Sequence, residues 1–128
     1  MDDQKIGFLR QQHIGGLVDA LLTSAQRLGF TEEETKASLG YAQARPDVLL
    51  RWKELGKAFA SHFMNGADDR ALEDVRMLIQ EFSKIASFEK AVFPDSFASL
   101  ASSCQKKLQL LKSRSVDVVA LEKKLAEL

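Results

Sequence analysis

The sequence has 128 residues, with 18 Lys and Arg, 18 Asp and Glu, and one Cys. This length is enough for one hydrophobic core, and the 45% hydrophobic content excludes a mostly disordered chain. The single Cys excludes an intramolecular disulfide framework and a Cys-only metal site, and the net charge of zero lacks the basic excess that is typical of nucleic-acid-binding domains.

The first predicted helix follows an apolar stripe in which residues recur every three or four positions from Leu9 to Leu28. Asp2 or Asp3 is placed to cap its start, and Gly29 is placed to end it in the left-handed conformation. Two adjacent glycines, Gly15 and Gly16, are unfavourable within a helix. We interpret them as a point where another helix packs closely.

Two further helices are predicted around a proline. Thr31 and Glu34 form a capping box that begins a helix over about residues 32–43. This helix is expected to stop before Arg45-Pro46, because the residue ahead of a proline avoids helical geometry. Pro46 then suits the first turn of a third helix over residues 46–64. Its apolar face consists of Val48, Leu49, Trp52, Leu55, Phe59 and Phe63, and Asn65-Gly66 ends it.

The second half of the chain predicts two or three more helices. After a cap at Asp68 or Asp69, a fourth helix carries a stripe of Leu72, Val75, Leu78, Ile79, Phe82 and Ile85. Residues 87–95 are predicted to be a connection with about one helical turn. Asp95 or Ser96 is expected to cap a fifth helix with the inward residues Phe97, Leu100, Cys104, Leu108 and Leu111, and Ser115 to cap the last helix.

These patterns predict an all-α fold, a compact bundle of five or six mostly antiparallel helices in a single domain over residues 1–128. No segment has the period of a strand, and no repeat of 20–50 residues appears. No apolar stretch is long enough to cross a bilayer. Since the N-terminal residues also lack the features of a signal peptide, we expect a cytoplasmic protein.

The residues that most often carry chemistry are not spaced for it. His13, His62 and Cys104 lack the spacing of a zinc site or of a nucleophile and its base. There is no Glu-x-x-His motif for a di-iron site, and Gly15-Gly16 lacks the Lys and Ser or Thr of a phosphate-binding loop. We therefore predict that the chain is not an enzyme and binds neither a metal nor a cofactor.

Surplus apolar residues favour binding to another protein. One group, Phe88, Val92 and Phe93, lies in the predicted connection, and a second lies at heptad spacing in the last helix: Val118, Leu121, Leu125 and Leu128. That helix is too short to be stable alone, so it docks on its own bundle, on a partner or on a second copy. We predict a protein-interaction module (an adaptor, a chaperone-like or an inhibitory subunit), with a homodimer as an alternative and with no membrane role.

Two other functions remain as alternatives. Residues 31–57 have the outline of a helix-turn-helix, in which Gln43, Arg45, Arg51 and Lys53 would contact DNA. Asp47 opposes this interpretation because it would repel phosphate, and two packed helices explain the same pattern without DNA. The third possibility is a carrier of an apolar ligand in a cavity lined by Phe59, Phe63, Phe82 and Phe97.

Overall fold

A computed structural model describes the backbone of residues 3–15 and 28–128, with side chains for residues 3–10 and 28–128. These residues form six helices and no strand, which confirms the predicted all-α bundle. The helices are α1 (Asp3–Gly15), α2 (Glu32–Met64), α3 (Asp68–Ser83), α4 (Ala86–Val92), α5 (Pro94–Ser113) and α6 (Val119–Ala126). The side chains of the predicted stripe between Arg10 and Leu28, including that of His13, and the contact expected at Gly15-Gly16 lie outside this description.

The predicted break at Arg45-Pro46 is wrong, because α2 continues through Pro46 as one helix of 33 residues. A proline inside a helix removes a hydrogen bond and costs about 3 kcal/mol. Both halves of α2 are anchored to the rest of the bundle. Tyr41 and Arg45 bind Glu89 of α4, while Val48 and Phe59 lie in the main core. We infer that this packing outweighs the cost of the proline.

The capping box at the start of α2 is confirmed. The Glu34 amide donates to Thr31 Oγ1 at 3.0 Å, and the Thr31 amide donates to Glu34 Oε1 at 3.2 Å. At its other end α2 stops at Met64, and Gly66 adopts a φ of +73° in the tight turn that follows. The left-handed conformation predicted for Gly29 is also present, with a φ of +74°.

The caps predicted for the last three predicted helices are wrong: α3, α5 and α6 begin without a side-chain cap from the residue that precedes them. The cap predicted at Asp2 or Asp3 stays a prediction, because residue 2 lies outside the described residues. Ser96 instead donates its hydroxyl proton to Glu89. Ser115 lies in a turn with a φ of +63°, four residues before α6 begins. The predicted connection over residues 87–95 is more helical than expected, because residues 87–92 belong to α4 and residues 94–95 begin α5.

The helix α3 is the centre of the bundle, and α2, α5 and α6 pack against it. Their stripes meet in one core in which Val75, Leu78, Phe82 and Leu111 are completely or almost completely buried. The direction of α5 follows from its two ends. Ser96 near its start and Arg45 of α2 bind the same carboxylate, while Arg114 after its end donates to the Phe63 carbonyl at 2.6 Å. Therefore α2 and α5 run in the same direction, and α3 runs back between them.

No helix in the described ranges is long and apolar enough to cross a lipid bilayer.

Candidate functional site

An open groove of about 530 Å³ lies between α2 and α5. Its apolar surface comes from Phe59, Phe63 and Met64 of α2 and from Leu110 of α5. The rings of Phe59 and Phe63 are stacked, with centres 5.6 Å apart. Small residues of both helices, including three serines of α5, line the rest of the groove. From Ser99 to Leu110 the groove follows α5 for about 16 Å, which is the length of about three helical turns.

The groove contains two of the four large hydrophobic side chains that are exposed in the described part of the chain. Met64 is 83% exposed and Leu110 is 44% exposed. The other two, Leu50 and Val119, lie outside the groove lining. Single exposed apolar residues are common on protein surfaces, whereas apolar residues that share one concave surface are typical of binding sites. This grouping makes the groove the best candidate for a functional site.

The formal charges that line the groove are positive. Lys106 and Lys107 are its charged lining residues, and α5 carries no acidic residue between Ser96 and Ser113. Lys107 Nζ donates to Ser103 Oγ at 2.7 Å and lies 5.8 Å from the centre of the Phe59 ring. Burial against the groove lowers the pKa of Lys107. In the described ranges, neither lysine forms an ion pair with a carboxylate.

A second groove, of about 570 Å³, lies between α3 and α6. Its lining is mainly polar and carries both signs of charge, with Arg76 and Lys124 beside Glu127. Ile79 and Leu128 are its two large apolar residues. This mixed surface has less apolar area to bury than the groove between α2 and α5, so it is the weaker candidate for binding a partner.

A buried polar cluster joins α2, α4 and α5 at the opposite end of α5. The Glu89 side chain is completely buried. Its Oε2 accepts from the Tyr41 hydroxyl at 2.6 Å and from Arg45 Nε at 2.9 Å, and its Oε1 accepts from Arg45 Nη2 at 2.9 Å and from Ser96 Oγ at 2.7 Å. Burial opposes ionisation of this carboxyl, but these hydrogen bonds outweigh burial and hold the pKa of Glu89 below its ordinary value.

The cluster is closed to solvent by aromatic rings. The Arg45 guanidinium lies 4.3 Å from the centre of the Phe93 ring, and Phe88 packs on Tyr41 with ring centres 5.1 Å apart. Burial and the hydrogen bond to Glu89 raise the pKa of Tyr41 above its ordinary range. Since the carboxylate has four donors and the cation has its carboxylate, the cluster is a satisfied structural network.

The structure places the predicted partner-binding residues of the connection inside this region. Val92 is 1% exposed and packs with Leu9 of α1 and with Phe30. Phe88 and Phe93 are half-buried in the contacts described above. Their role in binding a partner stays a prediction, but their side chains do not form an exposed surface. The physical reason is that α1 and α2 of the same chain cover them.

The C-terminal helix docks on its own bundle, which is the first of the three predicted possibilities. Val118, Leu121 and Leu125 are buried in the main core, and Leu128 packs against it. In this arrangement α6 contacts α3 and α5. The heptad spacing therefore identified a helix that packs inward, and a partner could reach these side chains only if α6 moved away.

The residues of the predicted helix-turn-helix do not form that motif, because no turn separates its two helices. Arg45 is held by Glu89 and Phe93, and Arg51 lies 3.5 Å from Glu81. Gln43 and Lys53 are exposed on the same continuous helix. DNA binding itself stays a prediction, which this geometry does not support.

The four phenylalanines proposed to line an apolar cavity are divided between core and groove. Phe82 is completely buried, and its ring centre lies 5.8 Å from that of Trp52 and 5.2 Å from that of Phe97. Phe59 and Phe63 stack on each other at the wall of the groove. These contacts fill the space that the ligand was expected to occupy.

The described His and Cys side chains are engaged separately. His62 Nδ1 lies 2.6 Å from Asp74 Oδ2, an interaction that ties the end of α2 to α3. Cys104 is buried in the core, where burial raises its thiol pKa to about 12 and leaves little thiolate at neutral pH. Within the described ranges, no three His, Cys, Asp or Glu side chains are grouped so that they could hold a metal ion.

Four groove residues were not predicted from the sequence: Met64, Leu110, Lys106 and Lys107. Two signals in the sequence pointed to two of them. Leu110 lies off the inward stripe that contains Leu108 and Leu111, and Met64 is an apolar residue at the very end of its helix. Neither signal shows that the two residues share one surface, because that depends on how α2 and α5 are placed on α3.

Comparisons with protein-family models, with curated proteins and with solved structures find no match to this chain, so its function is argued from its own geometry.

Proposed function

We propose that this chain is a cytoplasmic protein-interaction module that binds a helical segment of another protein in the groove between α2 and α5. The observation that carries the proposal is the grouping of Met64 and Leu110, both exposed, with the stacked rings of Phe59 and Phe63. A groove between two helices about three turns long fits an amphipathic helix, which would bury its apolar face against these side chains.

The proposal keeps the predicted class of function but moves the binding surface. The residues first predicted to bind a partner are covered by their own chain, whereas Met64 and Leu110 of the groove are exposed. Binding in the groove needs no movement of α1 or α6. We further propose that the chain acts without catalysis, as an adaptor or as an inhibitory subunit, because binding is the chemistry that its exposed residues support.

The test is selection from a displayed library of helical peptides. Each peptide has leucines at i, i+3, i+4 and i+7 spacing and a polar face that varies among Glu, Gln and Lys. The affinity of the selected peptides is then measured by fluorescence anisotropy with the full chain. We expect Met64→Asp and Leu110→Asp to weaken binding by about tenfold or more, because a charge would replace an apolar contact.

Matched controls are available because Leu50 and Val119 are also large, apolar and exposed but lie outside the groove. We expect Leu50→Asp and Val119→Asp to leave the affinity unchanged. The proposal fails if no peptide binds saturably, or if the control variants lose as much affinity as the groove variants. It also fails if the chain forms a dimer that Leu110→Asp dissociates, because the occupant would then be a second copy.

A further inference from the structure

We infer that the partner of the groove is an acidic amphipathic helix, whose carboxylates pair with Lys106 and Lys107. This inference rests on the proposed function and adds the chemical class of the partner. The observation that carries it is the position of Lys107. This half-buried lysine lies beside the Phe59 ring at the edge of an exposed apolar surface, and no carboxylate of the described chain pairs with it.

Lys107 is a partly buried cation. A cation in a partly buried position is costly unless an opposite charge or strong hydrogen bonds compensate it. Lys107 Nζ has one hydroxyl acceptor, Ser103 Oγ, and an ammonium group has three donors. The described part of the chain pairs its other half-buried cations with carboxylates: Lys5 with Glu34, and Arg45 with Glu89. A carboxylate from a partner would form an ion pair with Lys107 in the same way.

The rest of the groove lining carries no acidic residue. Lys106 is exposed beside Lys107, and Lys57 lies on α2 one residue after the lining residue Gly56. Between Gly56 and Met64, α2 carries no acidic residue, as is also true of α5 between Ser96 and Ser113. A basic helix would face the two lining lysines, Lys106 and Lys107, and like charges at an interface oppose binding. An acidic helix would gain attraction from both lysines.

The apolar and basic residues of the groove lie next to each other. Along α5, Lys106 and Lys107 precede Leu110 by four and three positions, so each of them lies next to Leu110 on the helix surface. Met64 and Phe63 lie across the groove on α2. A bound helix that buries leucines against the apolar residues would place its flanking positions near the lysines. The structure therefore favours a partner with Asp or Glu beside its apolar stripe.

The test uses three synthetic helical peptides with the same leucine face and with Glu, Gln or Lys at the flanking positions. We expect the Glu peptide to bind the full chain at least about tenfold more tightly than the Gln peptide at low salt, and the advantage to shrink as salt rises. We expect the Lys peptide to bind most weakly. Equal affinity of the Glu and Gln peptides would overturn the inference.

Charge reversal in the protein provides the second arm. Lys106→Glu and Lys107→Glu together should remove the preference for the Glu peptide and create a preference for the Lys peptide. The matched control is Lys123→Glu with Lys124→Glu, since these lysines lie on α6 and do not line the groove. The control should leave all three affinities unchanged. If it shifts them as much as the groove variant does, the effect belongs to net charge, and the inference is wrong.

The two proposals fail in distinguishable ways. If all three peptides bind equally and Leu110→Asp abolishes their binding, the groove binds helices and the acidic preference is wrong. If no peptide binds, the proposed function fails and this inference fails with it. If phosphatidylserine vesicles bind in place of the peptides, and the lysine reversals abolish that binding, the groove belongs to a membrane surface and the inference is overturned.

Discussion

The two ends of α5 use similar residues in opposite ways. Near its start, Arg45 lies over the Phe93 ring and is bound through two nitrogens by the buried carboxylate of Glu89. Near its end, Lys107 lies beside the Phe59 ring and meets one serine hydroxyl. The first site is complete within the chain, whereas the second has apolar and basic groups with no acid from the described residues to pair with them. We interpret the first site as one that stabilises the fold, and we propose that the second is open to a partner.

The largest effect is expected when the complete site is broken. Glu89→Ala would leave the Arg45 cation without its carboxylate and would leave the Tyr41 and Ser96 hydroxyls without their acceptor. We expect the free energy of unfolding to fall by about 3 kcal/mol or more, the usual result of removing one partner from a buried ion pair. Urea denaturation followed by circular dichroism measures this change.

The control for this variant is Glu73→Ala, which breaks an exposed pair with Arg76 on α3. Exposed pairs contribute little to stability, so its urea midpoint should stay at the wild-type value. A Glu89→Ala midpoint equal to that of the control would show that the buried cluster does not hold the bundle together.

The next effect concerns α6, whose predicted binding residues are buried against the rest of the bundle. Leu121 is buried between α6 and the core, and Leu121→Ala should lower the free energy of unfolding by about 2–3 kcal/mol. Val119 on the same helix is 69% exposed, so Val119→Ala should change it very little. Similar small effects for both variants would mean that α6 is not docked in solution.

A smaller effect is expected from pH, and it concerns the buried Glu89 carboxylate near the start of α5. The pKa of Glu89 is lower in the folded state than in the unfolded state. Its contribution is therefore present above the unfolded value of about 4.3 and is lost as pH falls through the folded pKa. We expect Glu89→Gln to show a smaller loss of stability than the wild type between about pH 5 and pH 3. Parallel urea midpoints for the two proteins over this range would contradict the assignment.

The smallest effect is expected at the open site. Lys107→Met removes a half-buried cation and keeps a flexible apolar chain against Phe59. We expect the free energy of unfolding to rise by about 0.5 kcal/mol, while affinity for the acidic peptide falls. Thermal denaturation and anisotropy measured on the same sample check both signs. A variant that is less stable than the wild type would show that Lys107 stabilises the fold.

The sequence was sufficient to predict the helical stripes, because burial forces apolar residues into a period of three or four. The stripes of α3 and α5 predicted Val75, Leu78, Phe82, Cys104 and Leu111 as core residues, and all of them are buried. The sequence failed at Pro46, where a local rule predicted a break. Contacts of Tyr41 and Arg45 with α4, a segment far along the chain, outweigh that rule.

The candidate site was beyond sequence reasoning for a related reason. Which pair of helices leaves a groove between them depends on how the helices are arranged around α3. The spacing of apolar residues along the sequence does not specify that arrangement. Surplus apolar residues led to the prediction that Val92, Val118, Leu121 and Leu125 bind a partner, yet these side chains are buried. Leu110 and Met64 were less conspicuous, and they are exposed.

Mapping of amide chemical shifts shows residue by residue whether the groove between α2 and α5 binds a helix. An isotope-labelled full chain is titrated with the leucine-faced Glu peptide, and the shift changes are followed residue by residue. We expect saturable changes concentrated at Gly56, Ala60, Ser102 and Lys106. Changes concentrated at α4 or α6, or no saturable change in the groove, would show that the groove does not bind a helix.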